Sequence, residues 1–111
     1  MELYLRDIVE AAGVIHEFMG GVDRKSFTKD KITQSAILHQ LIIIGEACAH
    51  VPHEFRQRYP DIEWTSIVGF RNIAVHVYYS VNTSIVYATA KDSVPELQGQ
   101  IADILEREFD K

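Results

Sequence analysis

"LIIIGEACA", residues 41–49, decides the fold of this 111-residue chain. At ~100° per residue, Leu41, Ile42, Ile43 and Ile44 point to different sides of a helix, so the segment is apolar nearly all round. A helix of that kind is buried nearly all round. In a chain this short it predicts the centre of a helical bundle, or an interface with another chain.

Working outward, the same helical periodicity runs through most of the sequence and strand alternation is almost missing. Leu5, Ile8, Val9, Ala12, Ile15 and Met19 recur at three- and four-residue steps and predict a first helix over 2–19. Gly20–Gly21 ends it, because glycine accepts the left-handed conformation of a C-cap. A polar connection through Lys25 and Ser26 follows. The helix containing residues 41–49 starts near 28–30 and ends near His50. Pro52 sits at the first position of a short helix over "PHEFRQRY", and "YPDIEW" is a loop, since a proline disfavours helix in the residue before it. A fourth helix begins at Glu63 or Trp64 and runs to about Tyr79. "SVNTS" is a turn, with Asn82 or Thr83 able to cap a last helix that ends near Phe109. Pro95 should kink or split that helix by removing a backbone donor. The expected architecture is all-α: a single domain over 1–111, an up-and-down bundle of four to five helices.

Composition narrows the function classes. Hydrophobic residues make up 47% and charged residues 24%, the balance of an ordinary soluble globular protein. No apolar run reaches the ~20 residues of a bilayer crossing. The opening "MELYLRDIVE" is an acidic helix pattern rather than a signal peptide. Cys48 is the single cysteine and cannot close an internal disulfide, which suits a reducing cytoplasm. The net charge of −5 is carried by the terminal segments. Residues 52–81 are neutral, with Arg56, Arg58 and Arg71 balancing Glu54, Asp61 and Glu63. Broad attraction to nucleic acid needs a basic face, so only a small, focused phosphate site is compatible.

"RNIAVHVYY", residues 71–79, is where chemistry concentrates. Asn72, His76 and Tyr79 form one line along a helix, and Arg71, Val75 and Tyr78 a neighbouring one. Arg71 and His76 differ by ~140°, so they meet only if the arginine wraps round, the helix distorts, or a second copy approaches across a two-fold axis. Imidazole moves protons near neutral pH, guanidinium forks onto phosphate oxygens, and asparagine can orient either. These groups suffice for attack of an RNA 2′-hydroxyl on its own phosphate with no metal or cofactor, and DNA would be spared. The competing reading makes Arg71 a snorkelling surface residue and His76 a satisfied core histidine.

Arg71-Asn72-x-x-x-His76-x-Tyr78 resembles the R-x4-H-x-Y signature of HepT-like proteins, a branch of the HEPN superfamily of helical ribonucleases. The likeness extends over "YLRDIVEAAGVIHEF", "IGEA", "YPDIEW", "GFRN" and "SIVYATAKDSVPEL", or roughly residues 3–105. The resemblance implies a homodimeric toxin of a type VII toxin–antitoxin pair that cuts RNA without metal at a composite interface site. It also implies an MntA-like nucleotidyltransferase antitoxin that silences the toxin by adding AMP to a tyrosine. By position, Arg71 and His76 become the catalytic pair, Asn72 an auxiliary group, Tyr78 the modified residue and Tyr79 a second acceptor. Val77 stands where members commonly carry glycine, and its branched Cβ bears on the tyrosine's modification more than on cleavage. Other functions compatible with the same residues are a noncatalytic helical subunit that docks a minimal nucleotidyltransferase or a nucleotide, and a purely structural dimeric bundle.

Several residues outside the motif have two readings. Glu46 either holds Arg71 or His76 in position or is a helix-surface carboxylate. Gly45 permits close helix packing. Arg56 or Arg58 could add to a phosphate site. His39, Glu46 and His50 share a helix face, but His39 is ~10 Å of rise from Glu46, too far for one ion. Cys48 reads as a small core residue, Trp64 as an anchor of the bundle, Phe70 as core and His16 as surface.

Overall fold

A computed structural model describes residues 1–76 and 82–110, and of residues 73–76 the backbone alone. Among the described residues there is no strand. The elements are α1 (Glu2–Met19), α2 (Arg24–Lys29), α3 (Lys31–Ala49), α4 (His53–Gln57), α5 (Trp64–His76), α6 (Thr83–Ala88), a π turn (Thr89–Ser93) and α7 (Val94–Glu108). The last three form one uninterrupted helical path.

α3 is the centre. It packs between α1 and α5, with α2 and α6 also against it, while α7 lies along α1. By length and composition α3 could cross a membrane. Here it is a core helix, with Ile37, Leu38, Leu41, Ile44, Gly45, Ala47 and Cys48 all buried. Ile42 and Ile43 are only half-buried in the single chain and pack against the core. Leu5, Ile8 and Ile15 of α1, Phe27 of α2, Ile37 of α3 and Ile101 of α7 are fully enclosed. Each such side chain contributes ~1.5–3 kcal/mol by leaving water.

Caps fix the helix ends. Gly21 takes the left-handed conformation after α1, at φ 74°. Asp23 accepts a hydrogen bond from Ser26 N at 2.7 Å and starts α2, a helix where a polar connection was expected. Asp30 accepts from Thr33 N and Thr33 Oγ1 at the start of α3, and Asn82 accepts from Ser84 N and Ile85 N at the start of α6. These donated hydrogen bonds hold the Asp23 and Asp30 carboxyls below the usual carboxylate range.

Pro95 breaks the regular α pattern as expected: α6 and α7 are separate α-helical elements joined by a π turn. The widened turn at 89–93 lies directly before Pro95, where the proline ring would otherwise meet the carbonyl of the residue four back. Trp64 is the expected anchor: it is 5% exposed, and its Nε1 donates to the Tyr59 carbonyl at 3.1 Å.

Candidate active site at the α3–α5 contact

α5 packs on α3. Of its described apolar side chains Trp64 is buried, whereas Ile67, Val68 and Phe70 are partly buried and pack against the core. Ile67 and Phe70 border a groove of about 430 Å³ with Leu41, Ile44, Val94 and Leu97 on its other walls. Asp61, Glu63 and Glu96 also line it. Carboxylates repel a phosphate chain, so this groove is a poor place for RNA.

Arg71 lies on the α3 side of α5. Its side chain is 24% exposed, and Nη1 is 3.1 Å from Glu46 Oε2. Glu46 is 52% exposed, so both of its expected roles hold together: it is a surface carboxylate and it pairs with the arginine. An ion pair this open contributes only ~0.2–1 kcal/mol to stability, so its effect is on where the guanidinium points. Arg71 Nε is buried and has no hydrogen-bond partner among the described residues. The Nη end of the head, not its Nε edge, therefore makes the polar contact. Asn72, the next residue, is exposed.

His76 closes α5, and its side chain lies outside the described residues together with Tyr78 and Tyr79.

Arg56 and Arg58, the two other arginines considered for a phosphate site, make structural contacts. Arg56 donates from Nε to the Val51 carbonyl at 3.0 Å, and from Nη2 to those of Cys48 and Ala49 at 2.9 and 3.3 Å. It thus completes the C-terminus of α3. Arg58 pairs with Glu108, which also accepts from the Tyr59 hydroxyl, and lies over the Phe55 ring. His50 stacks on Tyr4 with ring centroids 4.6 Å apart, and its Nδ1 is 2.9 Å from the Glu46 carbonyl. Among the described residues no group of three or more His, Cys, Asp or Glu side chains is placed to hold a metal ion. Burial pushes the Cys48 thiol up to about 12, which suits a packing residue rather than a nucleophile.

Sequence reasoning passed over Tyr87. It is 5% exposed, its hydroxyl donates to the Val22 carbonyl at 3.4 Å, and Arg24 lies 4.9 Å from its ring centroid. Its role is to join α6 to the α1–α2 connection, and no periodic signal marks it.

Comparison with known proteins shows the family. The chain is 36% identical over 97 residues to a "Probable ribonuclease HepT" of Thermococcus cleftensis, covering 87% of this chain and 88% of that protein. A candidate RNase of Caldanaerobacter subterraneus subsp. tengcongensis is 34% identical over 105 residues, covering 95% and 94%. One from Methanocaldococcus jannaschii is 31% identical over 101 residues, covering 91% and 93%. No solved structure matches significantly. The profile of the ribonuclease HepT-like family matches residues 8–104, and the chain belongs to that family.

Proposed function

We propose that this chain is a metal-independent RNA endonuclease, the toxin of a type VII toxin–antitoxin pair, working as a homodimer. The observation that carries this reading is Arg71: a guanidinium braced by Glu46, its Nη end outermost, in a chain of the ribonuclease HepT-like family. Arg71 and His76 differ by ~140° around α5, and a two-fold contact between copies would bring two Arg71–His76 sets to one gap.

In the proposed step the RNA 2′-oxygen attacks the adjacent phosphorus and the bond from phosphorus to the 5′-oxygen breaks. One His76 imidazole takes the 2′-hydroxyl proton, and the imidazole of the second copy gives a proton to the departing 5′-oxygen. Arg71 neutralises charge on the pentacovalent phosphorus, and Asn72 orients an imidazole or a phosphate oxygen. The products are a 2′,3′-cyclic phosphate and a 5′-hydroxyl. An MntA-like nucleotidyltransferase would silence the enzyme by adding AMP to Tyr78, with Tyr79 as a second acceptor.

The test is incubation of purified dimer with total RNA. Wild type should cleave with or without EDTA, while Arg71→Ala and His76→Ala should each lose about 10²-fold or more and stay folded. Loss of activity in EDTA with recovery on adding a divalent ion would end the metal-free mechanism. A wild type that binds the nucleotidyltransferase tightly yet never cleaves would make the chain a docking subunit. Intact-mass measurement after coexpression reads the AMP addition.

A further inference from the structure

The position of Arg71 depends on a residue that has no side chain. Gly45 is buried in α3 opposite α5. A Cβ there would lie 2.3 Å from Arg71 Cβ, 2.9 Å from Arg71 Cγ and 3.3 Å from the Ile67 carbonyl oxygen. The first two separations are closer than real Cβ atoms come. The obstacles are the root of the arginine side chain and the α5 backbone, so no swing of a flexible tip relieves them. Either the helices part or the arginine root moves.

One position further along α3, Glu46 meets the other end of the same side chain. Two adjacent α3 residues thus bracket Arg71: the bare Cα of Gly45 receives the stem, and the Glu46 carboxylate meets the head. Between them Nε is enclosed. We propose that Gly45 is a positioning residue for Arg71, setting how deep the stem lies against α3 and so which edge of the guanidinium is offered outward. What the arginine does to RNA rests on the function proposed above; where it is held does not.

The experiment therefore reads Arg71 directly as well as through cleavage. In ¹⁵N–¹H spectra at pH 6, the Arg71 Nε–H signal, assigned by its loss in Arg71→Lys, should exchange slowly with water. Gly45→Ala should speed that exchange about tenfold or more and lower kcat/KM for RNA by a similar factor, below the variant's melting temperature. Gly99→Ala is the control, since a Cβ there meets nothing within 4 Å; it should leave both readouts unchanged. Glu46→Gln should cut kcat/KM several-fold while the Nε–H stays protected, because the root remains held.

If Gly45→Ala lowers the melting temperature but leaves Nε–H exchange as in wild type, Gly45 is a packing residue only and the proposal is overturned. If Gly45→Ala does not fold at working temperature, the same substitution in an Arg71→Gly background decides. A smaller drop in melting temperature there supports the bracket, and an equal drop refutes it. Should wild type never cleave RNA, the exchange measurements still decide the role of Gly45, while the nuclease reading falls alone.

Discussion

Replacing Arg56 by methionine separates a structural cation from a nucleic-acid contact. Methionine keeps the apolar stem and removes the guanidinium. Three partly buried carbonyls at the end of α3, those of Cys48, Ala49 and Val51, then lose their charged donor. Hydrogen bonds to charged groups contribute ~1.5–3 kcal/mol each. The three come from one group, at 2.9 to 3.3 Å, so they are not additive, and water can reach a partly buried carbonyl. A net loss of about 3 kcal/mol follows, which includes the cation's interaction with the helix dipole. For a domain near this size that lowers the melting temperature by about 10–15 °C. Urea unfolding at 25 °C and one fixed protein concentration measures it, since any dimerisation would shift the midpoint. Cleavage per folded molecule should equal wild type. A stability loss below about 1 kcal/mol with weakened RNA binding would show that Arg56 grips phosphate and that the carbonyl contacts contribute little.

Three further outcomes are expected. Cys48, buried and with its thiol pushed up to about 12, should resist iodoacetamide at pH 8 in the native protein and react once unfolded; fast native labelling would contradict its burial. Asp30 is held below its usual range first by the Thr33 hydroxyl and then by the Thr33 N–H. Its contribution is therefore complete above the unfolded pKa of ~3.9 and disappears as pH falls through the lower folded value. Asp30→Ala should be less stable at neutral pH and lose less stability than wild type below about pH 4, as urea midpoints at pH 7, 5 and 3 will show. Trp64→Phe loses the bond to the Tyr59 carbonyl and some ring volume, so its thermal midpoint should fall by the equivalent of about 1–2 kcal/mol.

What could be read from the chain follows from how many residues a signal spans. α1 is legible from end to end because six apolar residues keep helical spacing and two glycines stop it. The α3 and α5 starts are legible to within a few residues for similar reasons, and the Asn82 cap was expected by residue type. α2 is hidden: it has one buried residue, Phe27, and a single apolar position cannot establish a period. Its one local sign is Asp23 three residues before Ser26. At the site, Arg71 stood out by residue type, but its pairing with Glu46 is a contact between residues 25 apart in sequence, and two readings stayed open until the helices were packed. Arg56 and Arg58 show the same limit. A cation in sequence is equally suited to a phosphate or to a helix end, and only three dimensions reveal which is nearer.

The π turn before Pro95 has a consequence for how this helix tolerates change in length. A turn closed by bonds from i to i+5 holds one residue more than the α pattern needs, so residues 89–93 contain a surplus unit. Removing one of them lets the local ladder tighten to ordinary α-helical pitch, though the proline ring then meets the carbonyl it now avoids. Removing a residue from the middle of α7 instead rotates everything beyond it by ~100° and turns Ile101, Ile104 and Leu105 out of the core. Single-residue gains and losses during divergence should therefore be absorbed at this one place.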